Sequence, residues 1–165
     1  MEGKQVIPAE EHAQKIRAAV DARTDDDLVI IARTDARSVY DLDEAIRRCR
    51  LYREAGADVT FVEAPRSVEE LRRIVGEIDA PQVANMIEGG KTPFLNAGEL
   101  EKMGFKIAFY TLGVYYAVAK TVYDFMSCLK STGTTEGFYD RMFSFDEFNE
   151  LVGLHEMQEL DRKYR

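Results

Sequence analysis

Cysteine is scarce in this sequence, which argues against two common ways of stabilising a small fold. Only Cys49 and Cys128 occur among the 165 residues. Both lie within helical patterns, and neither has metal-ligand spacing or a neighbouring histidine. A disulfide framework or a cysteine-based metal centre would need regularly spaced cysteines. We therefore expect two reduced thiols, as in proteins of the cytoplasm.

Long apolar runs are also missing. No stretch reaches the roughly 18 to 20 apolar residues that a membrane-spanning helix needs. The first residues, MEGKQVIPAEEH, do not contain the apolar core of a signal peptide. The sequence thus predicts a soluble, cytoplasmic protein with no membrane as partner.

Positive charge is in deficit. The chain has 22 Lys and Arg residues against 30 Asp and Glu residues, which gives a formal net charge of -8. Binding to nucleic acid or to an anionic membrane surface needs clustered Lys and Arg. We therefore expect no nucleic-acid partner, and a partner that is either a small molecule or another protein.

Four apolar segments that end in polar residues are the most informative feature of the chain. The first is LVIIARTDA at 28–36, where an apolar run ends in an arginine, a threonine and an aspartate. Similar segments follow at 58–64 (DVTFVEA), 81–86 (PQVANM) and 106–111 (KIAFYT). A continuous Val, Ile and Leu run is typical of a parallel strand that is buried on both faces, and ligands bind at the carboxyl ends of such strands.

Segments with a helical period separate these strands. Proline and acidic residues open the first, Gly56 ends the second, and Ser67 with Glu70 predicts a capping box for the third. A short helix ends at Gly104. The predicted helices are 8–23, 42–55, the segment after Ser67, the segment before Gly104, 115–130 and 145–163.

Alternation of strand and helix predicts an α/β fold with a parallel sheet and right-handed crossovers. Because a closed barrel has eight strands and about 250 residues, four strands predict a partial (β/α) barrel with flanking helices, plus C-terminal helices. We expect residues 1–133 to form half of a (β/α)8 barrel and residues 134–165 to form a linker and a helical tail. A small doubly wound sheet with helices on both faces is the alternative.

Polar side chains at the predicted strand ends are the candidate site. Arg33 can clamp a carboxylate or phosphate with two parallel hydrogen bonds, or it can form a structural ion pair with Asp35 or Glu63. Glu63 stands among apolar residues and could act as a general base, a substrate contact or a partner of a metal ligand. The amide of Asn85 can orient a carboxylate. Tyr110 and Thr111, at the end of the fourth strand, more often belong to the core and the rim of a sheet than to a reactive site.

Other polar segments allow simpler interpretations. The EGGKTP loop at 88–93 could cradle an anion, or it could be a tight turn with Gly89 or Gly90 at positive φ. The acidic run at 25–27 is typical of a solvated turn before a strand. His12 and His155 lack nearby partners in the sequence and are predicted to be surface residues.

Several segments together resemble the isocitrate lyase and phosphoenolpyruvate mutase superfamily, which includes methylisocitrate lyase, dimethylmalate lyase and oxaloacetate decarboxylase-like members. These segments are IIARTDA, LDEAIRRCRLYREAGAD, FVEAP and ANMIEGGKTP. The resemblance implies an (α/β)8 barrel, Mg²⁺, and cleavage or formation of a carbon-carbon or carbon-phosphorus bond next to a 2-oxo acid. It implies that Arg33 and Glu63 bind substrate, and that Asn85, Met86 and Ile87 line the pocket.

The same resemblance predicts what this chain does not carry. The segment that starts at Gly3 matches the one that follows a catalytic loop with a Cys-Gly-His motif, so the Mg²⁺ ligands of the family are expected to be missing here, and no residue is assigned a catalytic role. We expect a carbon-carbon lyase present as a C-terminal part, inactive alone. Tyr116 and Phe145 stand where some members have substrate-reading arginines, which favours a smaller or less charged acid.

Association with another chain is the remaining expectation. Superfamily members resemble one another in exchanging a helix between the subunits of a tetramer, and 115–130 is the matching segment. The predicted partners are a small carboxylic-acid substrate and either a second copy of the chain or a complementary barrel half. A non-catalytic assembly subunit and an inactive relic of the family are the alternative functions.

Overall fold

The computed structural model describes residues 3–165 of the chain, which fall into two compact units. One unit ends at Gly113, and the other is Val114–Arg165. The division at residue 133 that the sequence suggested stays a prediction.

The first unit alternates strands and helices. Its elements are α1 (Ala9–Ala22), β1 (Ile31–Thr34), α2 (Ala36–Val39), α3 (Leu42–Glu54), β2 (Val59–Val62), α4 (Val68–Glu77), β3 (Val83–Met86), α5 (Ala97–Met103) and β4 (Ile107–Tyr110). All four predicted strands are present, each at four residues. The α/β class predicted from the sequence is confirmed.

The strands lie side by side in the order of the sequence. β1 pairs in parallel with β2, β3 pairs in parallel with β4, and a single parallel bridge between Thr60 and Gln82 joins the two pairs. A doubly wound sheet would reverse its strand order and carry helices on both faces. The continuous order instead forms a partial barrel, so the alternative is wrong.

One face of the sheet carries the main core of this unit. Val62, Ala84 and Met86 point from the strands into a cluster made with the helices. The helical members include Ile46, Leu71, Ile74 and Leu100, none of which is more than 2% exposed. Burial of each such side chain contributes about 1.5–3 kcal/mol. The helices therefore secure the sheet from this side.

The opposite face of the sheet is only partly covered. Val59, Phe61 and Val83 form a small buried cluster there with Ile107 against it, but Ile31 and Phe109 are each 40% exposed. The prediction that the first strand is buried on both faces is therefore wrong. Buried and exposed residues alternate along β1, because helices pack on one side of it only.

Local capping explains several helix boundaries. The Ser67 hydroxyl accepts a hydrogen bond from the Glu70 amide at 3.1 Å, as expected for the first turn of α4. The reciprocal half of the predicted capping box is wrong, because the Glu70 carboxylate accepts instead from the Arg66 amide at 2.7 Å. A complete capping box occurs at Asn96 and Glu99, where α5 begins.

The α1 helix covers α3 at one edge of the unit. Ala13 and Ile16 pack in a cluster with Tyr52 and Ala55. Ala19, which the helical period placed on the same stripe, is exposed. The apolar face of α1 is thus narrower than predicted.

The second unit is helical. It contains most of α6 (Gly113–Thr132), a 3₁₀ helix (Glu136–Arg141), α7 (Phe145–Leu151) and α8 (Leu154–Tyr164). The single tail helix predicted over 145–163 is wrong, because Gly153 adopts a φ of 71° between α7 and α8. That left-handed conformation breaks the helix and suits glycine.

The α6 helix presents apolar side chains without burying any residue. Exposed large residues on it include Val114, Tyr115, Val118, Val122 and Tyr123. None of the helices within residues 3–165 has the length and apolar character needed to cross a membrane. Cys128, also on α6, and Cys49 are both free thiols.

Candidate functional site

The carboxyl ends of three strands bring the predicted polar residues together. Arg33 lies in β1, Asn85 lies in β3, and Glu63 follows β2 directly. A terminal nitrogen of Arg33 lies 3.6 Å from Glu63 Oε2, and Asn85 Nδ2 donates to the same oxygen at 3.4 Å. The three side chains therefore form one cluster at the rim of the sheet.

The Arg33 guanidinium is held in place on two sides. Its Nε and one terminal nitrogen donate to the two oxygens of Asp35 at 3.0 and 3.1 Å, and it stacks over the Phe61 ring at 5.2 Å. The hydrogen bond to Asp35 raises the pKa of Arg33. The ion pair that the sequence left as an alternative is thus present. A guanidinium has five N–H donors, and the bonds to Asp35 use two of them. The remaining N–H groups, on the two terminal nitrogens, are called the outer N–H edge and have no hydrogen bond to Asp35.

Asp35 is the N-cap residue of α2, but its side chain does not cap the helix. Its carboxylate bonds to Arg33 and Lys4, whereas the Ala36 amide donates to the Thr34 hydroxyl at 3.2 Å. Burial alone would raise the pKa of Asp35, but the hydrogen bonds from Arg33 and Lys4 hold it below its ordinary value. A capping aspartate contributes about 1 kcal/mol to a helix. Asp35 does not make this capping interaction, because its carboxylate forms ion pairs with Arg33 and Lys4.

The fourth strand contributes a residue that sequence reasoning did not place in the site. Thr111, directly after β4, donates its hydroxyl hydrogen to Asn85 Oδ1. This contact fixes the amide so that its NH₂ group faces Glu63. The spacing of Thr111 after the fourth apolar run could have indicated it, since polar residues follow the other three strands in the same way.

Backbone strain lies beside Glu63. Ala64 has a φ of 58°, and among residues 3–165 it is the one non-glycine residue in the left-handed region. Such a conformation costs of order 1–3 kcal/mol and persists where the surrounding structure enforces it. Here it turns the chain sharply just after Glu63, which is 9% exposed.

A cavity of about 550 Å³ opens beside this cluster. Glu63, Asn85 and Ile87 line it, together with Lys4 and Lys91. Arg33 and Asp35 instead line a second cavity of about 200 Å³, and Arg33 meets the first cavity through its contact with Glu63. Both cations, with the hydroxyls of Ser38 and Thr92, give part of the wall a polar and positive character. The cavity is therefore suited to a small anionic molecule.

Met86 does not reach this cavity. Its side chain is fully buried on the helix-covered face of the sheet, and its sulfur accepts a hydrogen bond from the Leu95 amide at 3.4 Å. Successive residues of a strand point to opposite faces, so Met86 and its neighbours Asn85 and Ile87 lie on different sides. The expectation that Met86 lines the pocket is corrected by this geometry.

The glycine-rich loop forms a turn at the cavity rim. Gly89 has a φ of 71°, and the Gly90 amide donates to the Ile87 carbonyl at 2.9 Å. A Cβ at position 90 would lie 3.0 Å from that carbonyl oxygen. The tight-turn interpretation therefore holds, and the same turn places Gly90, Lys91 and Thr92 against the cavity.

The remaining candidates lie outside the cluster. Asp25 accepts a hydrogen bond from the Asp27 amide at 2.9 Å, as expected for an acidic turn, and His155 is exposed. His12 is not the plain surface residue predicted, because its ring stacks on Tyr52 with centroids 4.5 Å apart. Burial, with the nearby charges of Lys15 and Arg48, lowers the pKa of His12.

The described residues do not fit a magnesium site. Across residues 3–165, no group of three His, Cys, Asp or Glu side chains could hold a metal ion. Asp35 is committed to Arg33 and Lys4, which leaves Glu63 as the single carboxylate lining the cavity. Mg²⁺ requires near-octahedral oxygen coordination, of which the Glu63 carboxylate could supply only a part.

Comparison with known proteins identifies the family. Residues 1–128 match the family model described as phosphoenolpyruvate phosphomutase. The chain is 48% identical over 165 residues to the petal death protein of Dianthus caryophyllus, covering 100% of this chain and 52% of that protein. It is 43% identical over 164 residues to 2,3-dimethylmalate lyase of Eubacterium barkeri, covering 99% and 57%. The chain thus spans about half the length of these relatives.

Solved structures show the same fold. A crystal structure of 2,3-dimethylmalate lyase, described as a PEP mutase/isocitrate lyase superfamily member, superposes with a TM-score of 0.89 at 31% identity, over 99% of this chain and 55% of that one. Phosphonopyruvate hydrolase in complex with oxalate and Mg²⁺ gives a TM-score of 0.81 at 26% identity, over 99% and 60%. With its sequence match and its four-stranded partial barrel, the chain belongs to the phosphoenolpyruvate phosphomutase family of the PEP mutase/isocitrate lyase superfamily.

Proposed function

We propose that this chain is the C-terminal part of a Mg²⁺-dependent lyase that cleaves a carbon-carbon bond in a small 2-oxo or 2-hydroxy carboxylic acid. The names of its relatives, which include 2,3-dimethylmalate lyase and 2-methylisocitrate lyase, support this reaction class. The observation that carries the proposal is the cluster of Arg33, Glu63 and Asn85 beside the cavity. A cytoplasmic location belongs to the same proposal.

The side chains of the cluster suit different parts of such an acid. The outer N–H edge of Arg33 binds the substrate carboxylate in a two-point contact, which is stronger than a single neutral hydrogen bond. The Asn85 amide, oriented by Thr111, donates to a substrate oxygen. Glu63 lies within hydrogen-bonding reach of the same molecule, and Ile87 provides an apolar wall. Met86 acts indirectly, by fixing β3 against the helices.

The size of the substrate follows from two substitutions relative to the family. By the family resemblance, Tyr116 and Phe145 match sequence positions at which methylisocitrate lyase-like members carry substrate-reading arginines. The chain therefore lacks two cations that such members use for a further carboxylate. We therefore infer a mono- or dicarboxylic acid rather than a tricarboxylic acid.

Metal and acid-base groups come from outside this chain in our proposal. A second barrel half would cover the exposed part of the sheet and would pair with the outer edges of β1 and β4. A complementary half, or residues that precede this segment in a longer protein, would supply the oxygen ligands that Mg²⁺ needs.

Binding of oxalate tests the site directly. We expect saturable binding of oxalate to the purified chain by isothermal titration calorimetry, and at least a tenfold loss of affinity, about 1.4 kcal/mol, in Arg33→Met. Arg50→Met is the matched control, because Arg50 is an exposed arginine on α3 that pairs with Glu77. Equal affinity in the Arg33 and Arg50 variants would contradict the proposed site.

Complementation tests the reaction. The amino-terminal half of the Eubacterium barkeri lyase is expressed separately and mixed with this chain and Mg²⁺. We expect cleavage of 2,3-dimethylmalate in the mixture and none with either half alone. If the mixture shows no activity although the two halves co-elute in gel filtration, the proposed activity is wrong.

A non-catalytic assembly subunit is the second candidate, and α6 favours it. Its apolar side chains are exposed over most of its length, and large exposed apolar patches mark interaction surfaces. Light scattering separates the candidates, because a stable monomer that does not bind a barrel half would exclude an assembly role. Association without any oxalate binding would favour the assembly role over the lyase.

A further inference from the structure

Lys4 reaches the site from a segment that is not part of the sheet. Its ammonium group bonds to Asp35 Oδ1, and the side chains of Lys4 and Asp35 are 28% and 24% exposed. The segment around Lys4 is anchored nearby, because the guanidinium of Arg48 donates to the Ile7 carbonyl at 2.8 Å. Arg48 is itself held by Glu44 at 2.7 Å. Lys4 is therefore held at the rim by neighbouring structure.

Within residues 3–165, the hydrogen bonds that the Asp35 carboxylate accepts from side chains all come from cations. Oδ1 accepts from Lys4 and from a terminal nitrogen of Arg33, and Oδ2 accepts from Arg33 Nε. Because two bonds connect Asp35 to Arg33, the carboxylate fixes the plane of the guanidinium. This plane determines where the outer N–H edge of Arg33 points.

The charges at the rim cancel only when Lys4 is counted. Lys4 and Arg33 are positive, while Asp35 and Glu63 are negative, and all four lie within one connected set of contacts. Without Lys4 the set carries a net negative charge, which repels an incoming carboxylate.

We propose that Lys4 is a positioning residue that sets the affinity of the cavity for carboxylate anions, because it neutralises Asp35 and holds it so that Arg33 offers its outer N–H edge to the anion. This inference rests on the proposed function, since it concerns the same cavity and the same class of small acid. Lys4 also lines the cavity, so its charge acts on the anion as well as on Asp35.

Charge variants at two lysines test the inference. Lys4→Gln removes the cation, Lys4→Arg retains it, and Lys15→Gln is the control with the same change in net charge. Lys15 pairs with Glu11 on the exposed side of α1 at 3.1 Å. We expect oxalate to bind Lys4→Gln about tenfold more weakly than the unaltered chain, and to bind the other two variants within about threefold of it.

The titration of Asp35 gives a second readout that does not depend on oxalate binding. Carboxyl NMR is expected to show a higher pKa of Asp35 in Lys4→Gln, because a hydrogen bond and a neighbouring positive charge are lost. The pKa should stay unchanged in Lys15→Gln and be restored in Lys4→Arg. Thermal unfolding of each variant shows that the compared proteins are folded.

The possible results separate this inference from the proposed function. If the unaltered chain and Lys4→Gln bind oxalate equally well, the role of Lys4 is wrong and the lyase site stands. If binding weakens in both Lys4→Gln and Lys4→Arg and Asp35 keeps its pKa, Lys4 does not act through charge and the inference is overturned. If the unaltered chain does not bind oxalate at all, both proposals fall together.

Discussion

The two faces of the sheet in the first unit differ in what they do. On the helix-covered face, Val62, Ala84 and Met86 are at most 2% exposed and pack into the main core. On the other face, Ile31 and Phe109 are each 40% exposed, and Arg33 lines the smaller cavity, in contact with Glu63. Alternate residues of the same strands therefore serve stability and binding separately. Substitutions on one face should leave the property of the other face largely intact.

The largest effect is expected from the helix-covered face. Leu71→Ala in α4 removes a side chain that is 1% exposed and should lower the free energy of unfolding by about 2–5 kcal/mol. Urea denaturation measures this change. Arg72→Ala is the control on the same helix, since its side chain is 63% exposed, and it should change stability by less than about 0.5 kcal/mol. Similar losses in both variants would remove the distinction between the faces.

The next effect concerns the cavity side. Arg33→Met should reduce oxalate affinity at least tenfold, yet change the free energy of unfolding by less than about 1 kcal/mol, because the ion pair with Asp35 is partly exposed. Calorimetric titration and urea denaturation on the same samples give both numbers. A large loss of stability would mean that Arg33 supports the fold rather than the site.

A smaller effect is expected at the start of α4. Ser67→Ala removes the hydroxyl that accepts from the Glu70 amide and should cost about 1 kcal/mol of stability with no change in oxalate affinity. Ser131→Ala is the control, since that hydroxyl only donates to a carbonyl within α6 at 3.0 Å. If Ser67→Ala weakened oxalate binding, the helices on the covered face would affect binding at the cavity, and the two faces would not serve stability and binding separately.

The smallest effect is a loss of folding stability at acidic pH. Hydrogen bonds from Arg47, and then from Arg48, lower the pKa of Glu44 from 4.5 to about 2. Because the pKa is lower in the folded chain than in the unfolded chain, Glu44 stabilises the fold above pH 4.5, and this contribution is lost as the pH falls from 4.5 towards 2. Glu44→Gln should flatten that part of the pH dependence in urea denaturation. An identical acid profile in both proteins would contradict the pairing.

Much of the fold was predictable because the patterns are local. Apolar runs gave the four strands, and Ser67 and Gly56 marked helix ends correctly. Arg33, Glu63 and Asn85 were predictable as a cluster, since polar residues at the ends of adjacent parallel strands meet at one rim. The superfamily predicted from the quoted segments is confirmed by the family match.

Features that depend on tertiary contacts were not predictable in this way. Met86 adjoins Asn85 in sequence but lies on the other face, and only the strand register assigns it there. Glu70 has the spacing of a capping box, yet Arg37 at 2.7 Å competes for its carboxylate. His12 has no partner nearby in sequence, because its partner Tyr52 comes from a different helix.

The most direct test of the central claim is a crystal structure of this chain grown with oxalate at a concentration that saturates it in titration. We predict oxalate in the cavity, with its carboxylate on the outer N–H edge of Arg33 and an oxygen near the Asn85 amide. Oxalate bound only elsewhere on the chain, with Arg33 still in contact with Asp35 and Glu63 alone, would contradict the proposed site.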